Sequence, residues 1–425
     1  MKGQQSYDLH NKFILEKASK TTDFTECTSV LKEWLSYFRK FHIGIFSGLP
    51  IDNNIVGTQL ALKSKSEAEL KTLVQAINKK VTSSLAGIYK TGSYEILVVK
   101  EAKNVTGYIL SASNSSWKNG EGKFSFRQDL SEGVYYMGDH SAQNISNIKL
   151  LDNRYLVLDD IVLDKDLPVV KLGAEKELYY KIKFAENAFI TRINNETIYM
   201  KLPSFGLDQR PAIDSMASKW KDEIVKSKNL IIDIRNNGGG SDKTYSAILP
   251  FIYTNPIHRN KIEFFSSELN NKVWFDLLKN PNLSAKEKTL FSDFTNRLNK
   301  NIGGFERIFK DDISAIKLNT EYPNPKNVSV IINRKTASAA EQFILDAEQS
   351  WKVKTFGQQT TGALDIGNVT TVNSADNKLT LIYATSRYIT VGKLTLDDNG
   401  ILPDFYINND VSEEKWIDFI LERMR

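Results

Sequence analysis

Two short segments of the chain carry residue types that could perform acyl transfer. The first is the glycine run Gly238–Gly240, which follows the apolar segment Leu230–Ile234. The second is Ser338, which follows the apolar segment Val328–Asn333 and begins a helical pattern. A glycine turn exposes backbone N–H groups that can bind a negatively charged oxygen. A hydroxyl beside such amides could attack a carbonyl group, so the two segments together favour an enzyme.

Each segment also has a simpler interpretation. Ser338 or Thr336 could serve only as the N-cap of the following helix. The glycine run could bind phosphate, but it lacks the Gly-Lys-Ser/Thr of a P-loop and the spacing of a dinucleotide fingerprint. Because the two segments both follow apolar strands, the acyl-transfer interpretation is preferred over a plain cap and a plain turn.

The elements around these segments alternate between strand and helix. We expect strands at Thr197–Leu202, Leu230–Ile234 and Val328–Asn333, and helices at Ala212–Lys226 and from Ser338 onward. The region 284–318 is charged and is expected to be mostly helical. This alternation predicts an α/β core with some parallel strands.

Three regions follow from the changes in pattern along the chain. Residues 1–83 are predicted to be an N-terminal helical region and residues 84–186 a small β-barrel or sandwich. Residues 187–425 are predicted to be the α/β core. The strands expected in the middle region are Tyr94–Val99, Gly107–Leu110, Lys123–Phe126, Val134–Met137, Tyr155–Leu158 and Leu178–Ile182.

Composition narrows the class of protein. The 425 residues predict two or three domains, and the net charge of +5 comes from 56 basic and 51 acidic side chains without a dense basic block. Nucleic-acid binding therefore has little support. Cys27 cannot form an intrachain disulfide because it is the one cysteine, and a buried structural thiol is expected. We expect neither a membrane span nor a signal peptide, which suits a cytoplasmic protein or a mature form.

Several motifs resemble those of the C-terminal processing (tail-specific) serine proteases. They are Asp233-Ile-Arg-Asn-Asn-Gly-Gly-Gly, Thr336-Ala-Ser-Ala-Ala-Glu, Ile198-Tyr-Met-Lys-Leu-Pro-Ser-Phe, Phe356-Gly-Gln-Gln-Thr-Thr-Gly and Gly400-Ile-Leu-Pro-Asp. The resemblance implies a crotonase-like α/β core with Ser338 as nucleophile. It also implies an oxyanion hole built from the amides of Ala339 and Gly239.

The chain departs from this family at the proton acceptor. The best-known branch uses a Ser–Lys dyad, but the matching position is Ala363. The chain is more similar to the branch of tricorn core domains, in which a histidine held by an acidic residue is the base. Those two positions correspond to Lys201 and Asp397. A lysine can act as base if burial lowers its pKa, whereas an adjacent Asp397 would keep Lys201 charged.

His42 is the alternative base, since Phe41-His-Ile-Gly matches the place of the family's Asp-x-His-Thr segment; a packing role at the cleft is the other interpretation. His10, His140 and His258 have no supporting motif, and Glu341 is expected to tie its helix to neighbouring backbone. We predict no metal and no cofactor.

The prediction is a serine-type endopeptidase acting on polypeptides, located in the periplasm or cell envelope, with its oligomeric state open. The alternatives are a peptide- or lipophile-binding protein on a degenerate protease core and an enoyl-CoA-type enzyme. The second of these would require an acyl-CoA site.

Overall fold

The chain divides into two compact units. The computed structural model describes residues 4–38, 41–47, 64–79, 85–113, 116–138, 140–309, 315–389 and 395–424. The first unit combines residues 1–48 with 185–425, and the second comprises residues 49–184. This division differs at the N-terminus from the three predicted regions, because part of region 1–83 belongs to each unit. Among the described helices, none is both long and apolar enough to cross a membrane.

The N-terminal part of the first unit is a helix pair followed by one strand. Its elements are α1 (Gln4–Ala18), α2 (Phe24–Ser36) and β1 (Gly44–Ser47). The Asp23 side chain caps α2 by accepting a hydrogen bond from the Glu26 N–H. The β1 strand joins the first unit because it pairs with a strand near the other end of the chain, where Gly44 faces Ile382.

The second unit is a single antiparallel sheet with two helices. The helices are α3 (Glu67–Lys79) and α4 (Ala174–Lys183). The strands are β2 (Gly87–Thr91), β3 (Tyr94–Lys100), β4 (Asn104–Ala112), β5 (Gly122–Arg127), β6 (Gly133–Tyr136), β7 (Ala142–Ile145), β8 (Ile148–Leu151), β9 (Tyr155–Leu158) and β10 (Ile161–Leu167). They form one nine-stranded sheet in the order β7-β6-β5-β4-β3-β2-β10-β9-β8, rather than the two sheets of a sandwich.

One predicted strand of this unit is wrong. Leu178–Ile182 lies within α4. Acidic Glu175 and Glu177 occupy the first turn of this helix and basic Lys181 and Lys183 the last, which suits the helix dipole. Within this helix, Tyr180 packs against strand β9, because its ring lies 4.6 Å from that of Tyr155.

The remaining first unit alternates strands and helices. Its strands are β11 (Phe189–Asn194), β12 (Thr197–Lys201), β13 (Asn229–Asp233), β14 (Ile257–His258), β15 (Ile262–Phe265), β16 (Phe305–Glu306), β17 (Ala315–Ile316), β18 (Asn327–Ile332), β19 (Val353–Gly357), β20 (Ile366–Asn373), β21 (Leu379–Tyr388) and β22 (Phe405–Tyr406). Its helices are α5 (Arg210–Ile224), α6 (Asp242–Tyr245), α7 (Leu249–Ile252), α8 (Glu268–Leu278), α9 (Ala285–Lys300), α10 (Ala339–Ala347) and α11 (Trp416–Arg423), with a short 3-10 helix at Glu413–Lys415. The predicted α/β core is confirmed.

The central sheet of the first unit has the order β11-β12-β13-β18-β19-β22. All its pairs are parallel except β11 with β12. Every residue of β13 is buried, as expected for a strand covered on both faces. Because β13 and β18 are parallel neighbours, the turns after them lie at the same edge of the sheet. These are the turns that contain Gly238–Gly240 and Ser338.

The first unit also contains a second sheet, built from β1, β15, β16, β20 and β21. Strand β21 pairs with β20 on one side and with β1 and β15 on the other. The pairing with β1 brings the N-terminal segment to residues far along the chain. A small separate sheet joins β14 and β17.

Candidate active site

Ser338 lies at the junction between β18 and α10 in an unusual backbone conformation. Its φ and ψ angles are 58° and −123°, which is rare for a residue with a side chain. A serine on a strained turn between strand and helix presents its hydroxyl outward. Strain of this kind persists only where surrounding contacts hold it.

The Glu341 carboxylate supplies those contacts. This side chain is fully buried, and Oε2 accepts hydrogen bonds from the N–H groups of Ser338 and Ala363, both at 2.9 Å. Oε1 accepts from the N–H of Gly362 at 2.8 Å and from the hydroxyl of Thr360. Glu341 therefore ties the serine turn to the loop that follows β19, as expected from the sequence.

The glycine turn lies directly against the serine turn. A Cβ atom added to Gly239 would lie 2.7 Å from Ser338 Cβ and 2.8 Å from the Ala339 nitrogen. The φ angle of Gly239 is +99°, so this position needs glycine for both conformation and space. The contact joins the two segments that the sequence singled out.

A cavity of about 340 Å³ opens beside Ser338. Its wall is formed by His42, Gly240, Ser241, Asp242, Lys243, Ile262, Ser338, Ala339, Gln342, Leu364, Asp365, Ile366, Gly367, Asn368, Ser386, Arg387 and Tyr388. The cavity thus includes three residues proposed from the sequence, Ser338, Ala339 and His42. The sequence did not single out Gln342 or Tyr388, whose hydroxyl donates to Gln342 Oε1 at 2.5 Å.

The amides of the glycine turn differ in their surroundings. Gly239 is buried and donates its N–H to Asn237 Oδ1 at 2.9 Å. Gly240 is exposed and lines the cavity, and the hydrogen bonds found in the described part of the chain include none from its N–H. The structure therefore places Gly239 against Ser338 but turns its N–H to Asn237, while Gly240 faces the cavity.

His42 reaches the cavity from the segment between α2 and β1. Since β1 pairs with β21, and Ser386, Arg387 and Tyr388 at the end of β21 line the same cavity, the sheet holds His42 near Ser338. The Nδ1 atom of His42 is buried and has no hydrogen-bond partner among the described residues.

Lys201 occupies a different environment from the one expected. Its Nζ donates to Asp233 Oδ1 at 3.1 Å and to the Arg235 carbonyl oxygen at 2.8 Å, and the side chain is 4% exposed. Burial lowers the pKa of Lys201, while the charge of Asp233 acts to raise it. Lys201 is absent from the cavity wall. Lys201 contacts Asp233 and not Asp397, the residue that the resemblance placed beside it, because the parallel register of β12 on β13 places Lys201 opposite Asp233.

Asp397 lies behind the cavity wall. Its Oδ1 accepts hydrogen bonds from the N–H groups of Leu364 and Asp365, at 2.9 and 2.8 Å. Both of these residues line the cavity. In return, the Asp365 carboxylate accepts from the Asp397 N–H. The two buried aspartates therefore join their loops and fix this side of the cavity.

The remaining candidates lie elsewhere. Ala363 is buried, so a methyl group fills the place of the family lysine. A ring nitrogen of His10 lies 3.1 Å from the Trp34 carbonyl, and the His140 ring stacks on Trp117 in the second unit. His258 lies in β14, and Cys27 is half-buried in α2. In the described ranges, no group of three or more His, Cys, Asp or Glu side chains could hold a metal ion.

Several solved structures are similar to the chain, and the first of them shares its fold. Mature CPAF complexed with lactacystin is 12% identical, with a TM-score of 0.50 over 98% of this chain and 91% of that one. The photosystem II D1 C-terminal processing protease is 13% identical, with a TM-score of 0.39 over 96% and 90%. Tricorn protease is 11% identical, with a TM-score of 0.41 over 100% and 35%. No curated protein matches the sequence.

The sequence model of peptidase family S41 matches residues 196–407. This range contains β12, the glycine turn, Ser338 and Asp397, while His42 lies outside it. The match confirms the resemblance to C-terminal processing serine proteases that the motifs predicted, and the placement near the tricorn branch stays a prediction. The chain belongs to peptidase family S41.

Proposed function

We propose that the protein is a serine peptidase that cleaves polypeptides by acyl transfer through Ser338. The observation that carries the proposal is the common cavity of Ser338, His42, Ala339 and Gly240. It supplies a nucleophile, a group able to take a proton and two backbone amides that can stabilise negative charge. Membership of a peptidase family supports the same conclusion.

In the proposed reaction, Ser338 Oγ attacks the carbonyl carbon of a peptide bond while its proton passes to the base. The carbonyl oxygen becomes an oxyanion, and the carbon–nitrogen bond then breaks as the base returns the proton to the leaving amine. A water molecule next attacks the acyl-enzyme by the same route. Its oxygen forms the carboxyl product and Ser338 recovers its proton.

His42 is the proposed base in preference to Lys201. A base must reach the proton that it removes, and His42 lines the Ser338 cavity whereas Lys201 is buried against Asp233. The ammonium of Lys201 also donates to a backbone carbonyl, so its hydrogen atoms are directed into the protein.

The proposed oxyanion hole contains the Ala339 N–H, which is the first of α10 and so has no acceptor within its helix. The second donor comes from the glycine turn. In the described conformation Gly240 is better placed than the expected Gly239, whose N–H is bound to Asn237 Oδ1. Gly239 contributes its missing side chain, which lets the turn approach Ser338.

A fluorophosphonate probe tests the proposal. It should label the wild-type protein and the variant Ser246→Ala, in which an exposed serine near the end of α6 is removed. It should not label Ser338→Ala. A folded wild-type protein that is never labelled would refute the peptidase proposal and favour the alternative, a non-catalytic peptide- or lipophile-binding protein. The residue Ala363, in place of the family lysine, is the feature that favours this alternative.

A further inference from the structure

Asn237 is a fully buried polar residue between β13 and the glycine turn. Its side chain uses both ends of the amide group. Oδ1 accepts the N–H of Gly239 at 2.9 Å, and Nδ2 donates to the carbonyl oxygen of Leu202 at 3.0 Å. One side chain therefore connects the glycine turn with the residue that follows β12.

The backbone of Asn237 makes the third connection. Its carbonyl oxygen accepts the N–H of Ala337 at 3.0 Å, and Ala337 directly precedes Ser338. Its own N–H donates to the carbonyl oxygen of Ile234, which closes the turn after β13. Asn237 thus joins the end of β12, the glycine turn and the serine turn.

We infer that Asn237 is a positioning residue for the oxyanion hole, an inference that rests on the proposed peptidase function. By binding the Gly239 N–H it fixes the orientation of the peptide groups in the glycine turn. The next residue, Gly240, lines the cavity beside Ser338, so its N–H belongs to the turn that Asn237 orients. Hydrogen-bond donors that are already oriented stabilise an oxyanion without a reorganisation cost.

Removal of the Asn237 side chain should affect the transition state more than the binding of a ligand. The variant Asn237→Ala leaves the cavity wall intact, because Asn237 is not part of it. It releases the Gly239 N–H and the Leu202 carbonyl, so the glycine turn can adopt other orientations. Loss of one donor from an oxyanion hole typically lowers the rate by about 100-fold or more.

The experiment measures the labelling of Ser338 by a fluorophosphonate at several probe concentrations. In this reaction the bond from Ser338 Oγ to phosphorus forms, the phosphorus–fluorine bond breaks, and the hydroxyl proton passes to the base as fluoride leaves. Because the phosphoryl oxygen gains negative charge, the maximal rate constant reports on the oxyanion hole. The half-saturating concentration reports on binding in the cavity.

The matched control is Asn229→Ala, which removes a buried asparagine at the opposite end of β13. Asn229 bonds only to the side chains of Thr197 and Asn327 through its amide group, among the described residues. It lies about 13 Å along the strand from Asp233. The two variants should lose similar thermal stability. A difference between their labelling rates is then caused by the place of Asn237 at the glycine turn and not by a general loss of stability.

The inference is supported if Asn237→Ala lowers the maximal labelling rate about 100-fold while the half-saturating concentration and the control stay within about threefold of wild type. It is overturned if wild type is labelled and Asn237→Ala is labelled at the same rate. If Asn237→Ala does not fold, Asn237→Ser replaces it, because serine is too short to reach both Gly239 and Leu202. Wild type without any labelling refutes the peptidase proposal itself, which is a separate outcome.

Discussion

The variant Lys201→Met separates the two candidate bases. Methionine keeps the length of the side chain but removes the ammonium that contacts Asp233 and Arg235. Asp233 retains other partners, since it accepts the Arg235 N–H, both Nε and Nη2 of the guanidinium, and the Tyr199 hydroxyl. The buried carboxylate therefore does not become unpaired.

The contacts set the expected cost for stability. Two hydrogen bonds from a charged donor contribute roughly 1.5–3 kcal/mol each. Burial opposes this gain, because taking the ammonium out of water costs free energy, and burial lowers the pKa of Lys201 for the same reason. We expect a net loss of about 1–3 kcal/mol. This is less than the roughly 3–5 kcal/mol typical for leaving a buried charge without a partner.

Activity should respond very differently from stability. Lys201→Met should keep fluorophosphonate labelling within about tenfold of wild type, because Lys201 does not line the cavity. His42→Gln should lower labelling by about 100-fold to 10,000-fold, the usual contribution of a general base. Urea unfolding of both variants measures stability, and Lys228→Met is the control, since its exposed ion pair with Glu196 contributes at most about 1 kcal/mol.

The reverse pattern would refute this reasoning. If folded Lys201→Met loses labelling as completely as Ser338→Ala while His42→Gln keeps it, the buried lysine is the base. The hydrogen bonds to Asp233 and Arg235 would then have to open during the reaction.

Three further predictions follow from the same contacts. Gly239→Ala should abolish labelling and destabilise the protein, because the new methyl group would lie 2.7 Å from Ser338 Cβ. The control is Gly238→Ala, whose new methyl group meets no atom within 4 Å, so it should leave the labelling rate unchanged. Glu341→Gln should lower the free energy of unfolding in urea by about 3 kcal/mol or more and slow labelling, since an amide cannot accept four hydrogen bonds. Wild-type stability and labelling would contradict the role of Glu341 in holding the serine turn. Lys165 lines a cavity of about 390 Å³ in the second unit, and burial lowers its pKa to about 8. The unfolded chain therefore binds more protons than the folded one between about pH 8 and 10, so stability gains from Lys165 as the pH rises. Lys165→Met should raise the melting temperature more at pH 7 than at pH 10, and an equal or opposite change would contradict this.

Much of the core could be predicted because its pattern is strong. The short apolar segments that form β13 and β18 predicted buried strands, and each is followed by a residue pattern typical of a turn. The spacing of Phe343, Ile344 and Ala347 indicated a helix that packs against a core, and α10 forms there with every residue except Leu345 buried. These elements also placed Ser338 next to the glycine run.

The partner of Lys201 could not be predicted from the motifs alone. Motif order along the chain suggested Asp397, but the pairing depends on which strands are neighbours. In the parallel register of β12 and β13, Lys201 faces Asp233. The sequence did contain an indication of this pairing, because Lys201 and Asp233 end two apolar strands that follow one another along the chain. Recognising it required knowing that the two strands are parallel neighbours.

The orientation of the glycine amides was also beyond the sequence. Three successive glycines show that the backbone is closely approached, but not which N–H faces the cavity. That depends on Asn237, whose amide group binds Gly239 across a turn. Likewise, Leu178–Ile182 has the aromatic composition of a strand, and only its flanking charges indicate the helix that forms.

The pairing of β1 with β21 has a consequence for synthesis on the ribosome. His42 is synthesised long before the strand that holds its segment in place, which is completed only at Tyr388. A nascent chain that ends before β21 therefore cannot assemble the cavity shared by His42 and Ser338. Joining such distant segments costs little extra entropy, about 0.6 kcal/mol for each doubling of the loop. The cavity is thus absent from every nascent chain that ends before β21, and any hydrolytic activity begins only after this strand has been made.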